Sequence, residues 1–252
     1  MIELQDLCAG YGKRQILHGI SLSIHSGELL SVIGPNGSGK STLLKAIVGI
    51  LPPEAGEVRI DSMRANALSR TEVARKIAYL AQGKSTPDMT AEQMVLHGRF
   101  PYLHYPRRYG ARDREIAAAA MEQTGISAFA DRPMASLSGG MRQNAYIAMA
   151  LAQDADYILL DEPTTYLDIA HQLELMKTLR RLADGGKGVA AVLHDLPLAF
   201  TFSDRVAVLA DGGIAACDTP AALCESGVVK KIFGVELVGD GDAGYRYRYP
   251  LD

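Results

Sequence analysis

The sequence has little cysteine, and its cysteines lack the spacing of a metal site or a disulfide framework. Cys8, Cys217 and Cys224 are odd in number, and no two of them form a Cys-x-x-Cys pair. Neither a zinc site nor structural disulfides are therefore indicated. A reducing compartment such as the cytosol fits this composition best.

Long apolar runs and a strong net charge are also missing. No stretch approaches the roughly 18 to 20 apolar residues of a membrane span, and the opening MIELQDL lacks the basic and apolar segments of a secretion signal. The formal net charge of -3 gives no overall electrostatic reason to expect nucleic acid as the main ligand. Any role at a membrane would therefore need an anchor supplied by another protein.

What the sequence does contain is typical of one globular α/β domain. Its 252 residues are 48% hydrophobic and 22% charged, which is enough to build a substantial core. Short apolar runs typical of buried strands recur, and helical patterns separate most of them, which predicts a mostly parallel sheet. These runs cover residues 29–33, 77–81, 157–160, 189–193 and 206–210.

A phosphate-binding loop follows the first of these runs. GPNGSGKST matches the GxxxxGK[ST] pattern and has the strand before it and the helical pattern after it that a P-loop requires. Its glycines let backbone N–H groups converge on a β-phosphate, Lys40 reaches the β and γ oxygens, and Ser41 offers a hydroxyl to Mg²⁺. The loop consists of Gly34, Pro35, Asn36, Gly37, Ser38, Gly39, Lys40, Ser41 and Thr42.

A pair of acids ends another predicted buried strand, YILLDE. An acid at the carboxyl end of such a strand is where an open α/β sheet holds a magnesium ligand, and Asp161 has that position. Glu162 is then placed to activate water as a general base. A glutamate that only caps the next turn is the alternative.

Three parts are predicted along this single domain. Residues 1–28 form mainly an antiparallel β layer, because residues 15–24 alternate like a half-exposed strand with Ile16, His18 and Ile20 on one face. Residues 29–84 and 153–252 form the nucleotide-binding core, and residues 85–152, whose apolar spacing is helical, form an inserted helical subdomain. Residues 211–213 are predicted to be a hairpin turn, and the YRYRY segment an edge strand.

The stretch LSGGMRQ, at residues 137–143, indicates a family. With the P-loop and YILLDE in this order, the chain resembles the ATP-binding-cassette (ABC) family of nucleotide-binding subunits over nearly its whole length. In that family the LSGG helix faces the ATP of a second, identical subunit. The resemblance therefore implies that Ser138, Gly139 and Gly140 complete the partner's γ-phosphate site. A Ser-Gly helix cap with no ligand is the alternative.

Four further positions match loops of the family. The resemblance implies that Tyr11 stacks on adenine and that Gln82 joins the Mg²⁺ and water site to the helical subdomain. It also implies that Asp168 communicates with the other subunit and that His194 holds the γ-phosphate and the attacking water. Taken alone, the tyrosine and the glutamine indicate no function, Asp168 is an ideal N-cap for the following helix, and His194 could also be a cap.

Three positions of the signature helix depart from the family's pattern. Met141 stands where the family most often has Gln, and Asn144 and Met149 stand where it often has Arg. The backbone donors of the glycines are untouched by these changes. We therefore expect the ATP sandwich to persist and the side-chain coupling around the helix to differ.

Three further segments of the sequence resemble the ATPases of bacterial importers for iron–siderophore, haem and cobalamin. This resemblance rests on VLHGRFPYL, TTYLDIAHQLELMKTLRRLA and HDLPLAFTFSDRVAVLADGGIAACDTP. It implies a homodimer on the cytoplasmic face of the membrane that hydrolyses ATP with Mg²⁺, drives two permease subunits and depends on an extracytoplasmic binding protein. ATPases of importers for metal ions or molybdate have similar sequences in these segments and stay an alternative.

Two rival functions are weaker. A soluble cassette protein that acts on ribosomes or nucleic acid usually has two fused cassettes or a long coiled coil, whereas this chain has one P-loop and no sustained heptads. A small-molecule kinase would share the P-loop, but it leaves LSGGMRQ and His194 unexplained.

The segment RFPYLHYPRRYGARDR, residues 99–114, is basic and aromatic. It contains five arginines against one aspartate. Read alone it could bind nucleic acid or be a solvated loop. Its place in the helical subdomain instead fits a surface that docks to a permease near anionic lipid headgroups.

Overall fold

The computed structural model describes residues 1–82, 86–165, 167–241 and 244–248. The strands are β1 (Ile2–Tyr11), β2 (Arg14–Ile24), β3 (Leu29–Ile33), β4 (Ala55–Ile60), β5 (Met63–Arg64), β6 (Ile77–Leu80), β7 (Tyr157–Asp161), β8 (Gly188–Val192), β9 (Arg205–Ala210), β10 (Gly213–Asp218), β11 (Glu236–Gly239) and β12 (Tyr245–Arg248). The helices are α1 (Lys40–Ile47), α2 (Arg70–Lys76), α3 (Ala91–Leu96), α4 (Ala111–Gln123), α5 (Gly139–Ala152), α6 (Ile169–Asp184), α7 (Leu196–Phe202), α8 (Pro220–Glu225) and α9 (Val228–Phe233).

A six-stranded sheet forms the centre of the fold, in the order β10-β9-β3-β8-β7-β6. Its pairs are parallel except β9 with β10, which form an antiparallel edge. Every residue of β3, β7 and β8 is buried, because both faces of a parallel sheet are covered by other elements. The predicted α/β class with a mostly parallel sheet is confirmed.

The central sheet separates two apolar cores. Residues on one face, such as Leu30 and Val192, pack with α1 and the strands β1 and β2. Residues on the other face, such as Ile33 and Ala191, pack with α3, α4, α5, α6 and α7. Because successive residues of a strand point to opposite faces, each strand contributes to both cores.

The second sheet is antiparallel, in the order β2-β1-β4-β5. It is therefore larger than the predicted layer of residues 1–28, since β4 and β5 come from the part assigned to the nucleotide-binding core. β1 pairs with β4 from Ile2 opposite Ile60 to Cys8 opposite Ala55. This pairing joins segments distant in sequence, and the pattern of either segment alone does not reveal it.

The regular alternation predicted for β2 is wrong at its centre. The pairing with β1 passes from Leu7 opposite Ile20 to Ala9 opposite Leu17, so β2 has one extra residue there. Such a bulge moves the following side chains to the other face. Leu17 is fully buried, while His18 is exposed.

Residues 86–152 contain the helices α3, α4 and α5 with connecting turns, and no strand of either sheet lies among them. α3, α4 and α5 pack on one another through small buried residues that include Ala117, Ala120, Ala145 and Ala148. The bounds of a separate subdomain stay a prediction, and its predicted start at residues 84 and 85 lies outside the described residues. No helix in the described part of the chain is long and apolar enough to cross a membrane.

Both predicted local features near the C-terminus are present. Ala210 pairs with Gly213 across a turn whose two central residues, Asp211 and Gly212, have the positive φ values of a tight hairpin. β12 pairs with β11, with Tyr245 and Tyr247 half-buried between exposed arginines. Tyr249, the last residue of YRYRY, lies outside the described residues.

Candidate ATP-hydrolysis site

The candidate residues follow four neighbouring parallel strands. β3, β8, β7 and β6 lie side by side in this order, so their carboxyl ends share one edge of the sheet. The P-loop follows β3, His194 follows β8, Asp161 and Glu162 end β7, and Gln82 follows β6. This edge is where open α/β sheets bind ligands.

Close packing requires glycine at two positions of the P-loop. A Cβ on Gly34 would lie 2.1 Å from the carbonyl oxygen of Leu209, and one on Gly39 would lie 2.8 Å from Leu17 Cδ2. Gly39 also has a φ of 104°, a conformation that other residues rarely adopt. Pro35, Asn36 and Gly37 form the exposed crest of the loop, and Thr42 is buried in α1.

Lys40 points back into the loop. Its Nζ donates hydrogen bonds to the carbonyl oxygens of Gly34 at 2.8 Å and Pro35 at 3.0 Å. Burial lowers the pKa of the lysine, and the nearby carboxylates of Glu162 and Asp161 oppose that shift. Because Lys40 is only 6% exposed, an anion at the loop would gain an electrostatic partner that is largely shielded from water.

Ser38 gives the loop an unsatisfied polar atom. Its Oγ is buried and forms no hydrogen bond with the described residues. Buried polar groups normally have partners, so this hydroxyl indicates a ligand atom. The glycines, Lys40 and Ser38 together fit the phosphates of a nucleotide.

Asp161 forms an oxygen cluster with two hydroxyl groups. Ser41 Oγ donates to its Oδ1 at 2.9 Å, and Tyr79 Oη donates to its Oδ2 at 3.4 Å. Burial raises the pKa of Asp161, and the hydrogen bond from Ser41 opposes that shift. A carboxylate and a hydroxyl are oxygen ligands that Mg²⁺ prefers, so Ser41 and Asp161 fit this ion.

Glu162 is the centre of a second cluster. Its Oε1 lies 2.6 Å from His194 Nε2, and its Oε2 accepts hydrogen bonds from Gln82 Nε2 and, at 3.3 Å, from Thr165 Oγ1. Its φ is 52°, an uncommon value for a residue other than glycine and one that clusters at active sites. The structure thus brings together Gln82, Glu162 and His194, the three residues predicted to be catalytic.

The predicted signature residues begin the helix α5. Ser138 is the N-cap of α5, with its Oγ accepting a hydrogen bond from the backbone N–H of Met141 at 3.3 Å. Ser138 and Gly139 are exposed. Among the described residues, no hydrogen bond or ion pair joins Ser138, Gly139 or Gly140 to the P-loop of the same chain.

Asp168 is connected to this helix start through His171, whose ring lies against Gly140. It is the N-cap of α6, and its Oδ1 accepts from the backbone N–H of His171 at 2.9 Å and contacts His171 Nδ1 at 2.8 Å. The hydrogen bond from the His171 backbone is the main cause that lowers the pKa of Asp168. The capping role is therefore present, and it leaves the carboxylate largely exposed.

Tyr11 is the last residue of β1. Its side chain is 50% exposed, and the residue pairs with Arg14 across the turn to β2. An exposed ring is available for stacking, but no hydrogen bond of the described residues fixes it to the P-loop.

No motif of the sequence predicts a role for Tyr79, Thr165 or His171 in the site. Tyr79 lies in a strand that the sequence does predict, but which side chains face Asp161 depends on the pairing of β6 with β7. Thr165 follows the acids by three residues. For His171 a signal exists, since a residue three positions after an N-cap acid is well placed to contact it.

The three residues of the signature helix that differ from the family's pattern each contact other parts of the same chain. Asn144 Nδ2 donates to the carbonyl oxygen of Thr124 at the end of α4, at 3.0 Å. Met141 and Met149 pack half-buried against the core beside the central sheet. These side chains therefore attach the helix to its own subunit.

Comparison with known proteins decides the family. The sequence model described as "ABC transporter" matches residues 17–165, more than half of the chain. The chain belongs to the ABC transporter family. It is therefore an ATPase with the P-loop fold, as the resemblance implies, and the nucleotide it binds is ATP.

Several curated ABC proteins are similar over nearly the whole chain. The ferric enterobactin transport ATP-binding protein FepC of Escherichia coli is 39% identical over 98% of this chain and 93% of its own. The iron(3+)-hydroxamate import ATP-binding protein FhuC of Bacillus subtilis is 39% identical, covering 95% and 90% of the two chains. The cobalamin import ATP-binding protein BtuD of Halobacterium salinarum is 40% identical, covering 88% and 56%.

Solved ABC structures share the fold. A dimeric ATP-binding cassette in a post-hydrolysis state with ADP and Pi has 31% identity and a TM-score of 0.76, covering 87% of this chain and 99% of its own. A metal-chelate type ABC transporter in an inward-facing conformation has 24% identity and a TM-score of 0.83, covering 99% and 98%. The second likeness concerns the fold alone.

Proposed function

We propose that this chain is the ATP-hydrolysing subunit of an importer for iron–siderophore complexes or a related metal chelate such as haem or cobalamin. The observation that carries the hydrolytic part is the shared sheet edge, where the P-loop, Asp161 and Glu162, Gln82 and His194 meet. The importer part rests on the near full-length similarity to FepC and FhuC.

The P-loop residues Gly34 to Thr42 hold the phosphates of ATP. Backbone N–H groups and Lys40 bind the phosphate oxygens, and Ser38 Oγ donates the hydrogen bond for which it lacks a partner. Tyr11 provides the exposed ring that stacks on adenine. Ser41, Asp161 and Gln82 would hold Mg²⁺, which would supply charge neutralisation for the phosphates.

Glu162 acts as the general base on water, and His194 positions that water against the γ-phosphate. The 2.6 Å contact between Glu162 and His194 holds the carboxylate and the imidazole in one place. Gln82 contacts the other carboxylate oxygen and is itself at the start of the segment that leads to α3. A change at the γ-phosphate can therefore reach the helical part of the chain through Gln82.

Two copies of the chain form the complete ATP site. Ser138, Gly139 and Gly140 present a hydroxyl and free backbone N–H groups at a helix N-terminus, which favours an anion. They form no hydrogen bond with the P-loop of the same chain among the described residues, and the similar cassette with ADP and Pi is dimeric. Asp168, exposed beside Gly140, communicates with the partner subunit across this interface.

A permease docks to a groove of the helical part. The groove has a volume of about 550 Å³ and is close to Gln82 in the chain. Its lining combines apolar and charged side chains, which suits a short amphipathic helix. The lining residues are Asp88, Met89, Glu92, Gln93, Leu96, His97, Tyr109 and Arg114.

The assembled importer thus has two copies of this chain on the cytoplasmic face of the membrane, two permease subunits and an extracytoplasmic binding protein. ATP closes the pair of subunits, and hydrolysis reopens it. The permease follows this motion through the groove.

Affinity purification from detergent-solubilised native membranes tests this proposal. We expect the tagged chain to retain a polytopic permease whose neighbouring genes encode a binding protein for a metal chelate. Glu92→Arg in the groove should lose the permease, and Glu174→Arg on the exposed face of α6 is the matched control. Recovery of ribosomes or nucleic acid without a membrane protein would reject the importer.

A further inference from the structure

The helical part has an exposed basic segment that the ATP site does not use. We call residues 104–114 the basic loop, which connects the turn after α3 to the first turn of α4. Its exposed cationic side chains are Arg107, Arg108, Arg112 and Arg114. Their number contrasts with the chain's formal net charge of -3, so the positive charge is a local feature.

The acid within the basic loop is turned toward the protein. Asp113 Oδ1 accepts a hydrogen bond from Arg99 Nε at 3.1 Å, and its Oδ2 accepts one from the backbone N–H of Gly110 at 2.9 Å. Arg99 is only 6% exposed. These contacts compensate the negative charge of Asp113 within the protein. The exposed acid beside the arginines in residues 104–115 is Glu115, which directly follows the loop.

Helix stability does not explain the arginines. Arg112 and Arg114 lie in the first turn of α4, at the positive end of its dipole. Cations are disfavoured there because the partial positive charge of the helix N-terminus repels them. Arg114 has a distant ion-pair partner in Glu92, at 3.8 Å, and stays 59% exposed.

Two aromatic rings are exposed beside these charges. Tyr105 is 97% exposed, and Phe100 is 46% exposed with the Arg107 guanidinium 4.4 Å from its ring centre. Tyrosine and arginine together are typical of a membrane–water interface, where the ring lies at the headgroup level and the cation pairs with phosphate.

The basic loop is continuous with the proposed permease groove. Tyr109 and Arg114 belong to the loop and also line the groove. A permease seated in the groove would bring the membrane surface to this side of the subunit. We propose that the basic loop binds the anionic headgroups of phospholipids and holds the helical part against the bilayer next to the permease.

Single-stranded nucleic acid is the poorer partner for this surface. Its binding requires several free aromatic faces on which successive bases stack. Tyr102 is already covered, by the guanidinium groups of Arg99 at 4.1 Å and Arg75 at 5.3 Å. Tyr109 is half-buried, which leaves Tyr105 as the freely exposed tyrosine of residues 99–114.

Vesicle sedimentation with the purified full chain tests the lipid site. We expect binding to vesicles of phosphatidylcholine with phosphatidylglycerol and none to phosphatidylcholine alone. Arg107→Gln/Arg108→Gln should weaken the partition coefficient about 25-fold, at about fivefold for each arginine near an anionic surface. Raising the salt from about 0.1 M to about 1 M should abolish binding, because the Debye length falls from about 10 Å to about 3 Å.

The matched control is Arg181→Gln/Arg248→Gln, which changes the net charge equally at exposed positions elsewhere. It should keep vesicle binding, and Tyr105→Ser should weaken it. Equal binding to both kinds of vesicle would overturn the proposal, and so would an equal loss of vesicle binding in the control variant. Binding of single-stranded DNA that depends on the basic loop, without binding of vesicles, would also overturn it. Recovery of the permease by affinity purification is a separate measurement. Binding to vesicles without recovery of a permease would contradict the importer assignment and leave the lipid site supported.

Discussion

His194 Nε2 lies 2.6 Å from Glu162 Oε1. The register of the central sheet explains this contact, since Asp161 at the end of β7 pairs with Val192 at the end of β8. The first residue after β7 and the second after β8 therefore extend past the same edge. With Gln82 on the other carboxylate oxygen, the two parallel neighbours of β7 both position the proposed base.

Glu162→Gln should abolish turnover and leave ATP binding intact. Glutamine keeps the shape and can still contact Gln82 and His194, but it cannot take a proton from water. We expect the ATPase rate to fall about 10²- to 10⁴-fold, the usual contribution of a general base. Light scattering should show ATP-dependent dimers that persist. Glu174→Gln is the control, and normal turnover in Glu162→Gln would remove this residue from the mechanism.

Ser138→Arg should block hydrolysis without blocking ATP binding to the monomer. The arginine fills the space in front of α5 that the proposed partner phosphate needs. It also removes the N-cap hydroxyl, which costs roughly 0.5 to 2 kcal/mol of stability. Ser138→Asn preserves a cap and should be as stable as the wild type. An unchanged ATPase rate in Ser138→Arg would show that each subunit hydrolyses ATP alone.

Gly140→Ala should lower turnover, and removal of the His171 ring should restore part of it. A Cβ on Gly140 would lie 3.0 Å from His171 Cδ2, so the ring must move away from it. That movement disturbs the contact of His171 with Asp168. ATPase rates of the single variants and of Gly140→Ala/His171→Ala form a double-mutant cycle. Additive effects would show that the helix start and Asp168 are not coupled through His171.

Asp61 should make folding stability depend on pH at strongly acidic values. Burial raises the pKa of Asp61, but hydrogen bonds from Lys76 and Tyr157 outweigh it and hold the pKa at about 2, below the ordinary 3.8. Because the folded pKa is the lower one, this contribution is present above pH 3.8 and is lost as the pH falls toward 2.

Denaturant titrations at several pH values measure this effect. Asp61→Asn should unfold more easily at neutral pH and show a flatter decline in stability between pH 3.8 and 2. Asp131→Asn, on an exposed turn, is the control and should follow the wild type. An identical acid profile for Asp61→Asn would show that these hydrogen bonds do not stabilise the folded state.

Much of the candidate site could be predicted because its parts are local. A strand, a glycine-rich turn and a helix are adjacent in the chain at Gly34 to Thr42, and an acid at a strand end is visible at Asp161. The contacts of Glu162 with Gln82 and His194 could not be derived in the same way. They depend on the order of β6, β7 and β8, which sequence patterns do not contain.

The sequence by itself determined the buried strands, the phosphate loop and the start of α5 at Ser138, because backbone conformation and burial are encoded in short segments. Only the tertiary structure decided that β4 joins the antiparallel sheet, that a bulge buries Leu17, and that His171 lies between Gly140 and Asp168. Each of these depends on how separate segments pair or pack together. Such contacts are selected by the packing of the whole core and not by local preference.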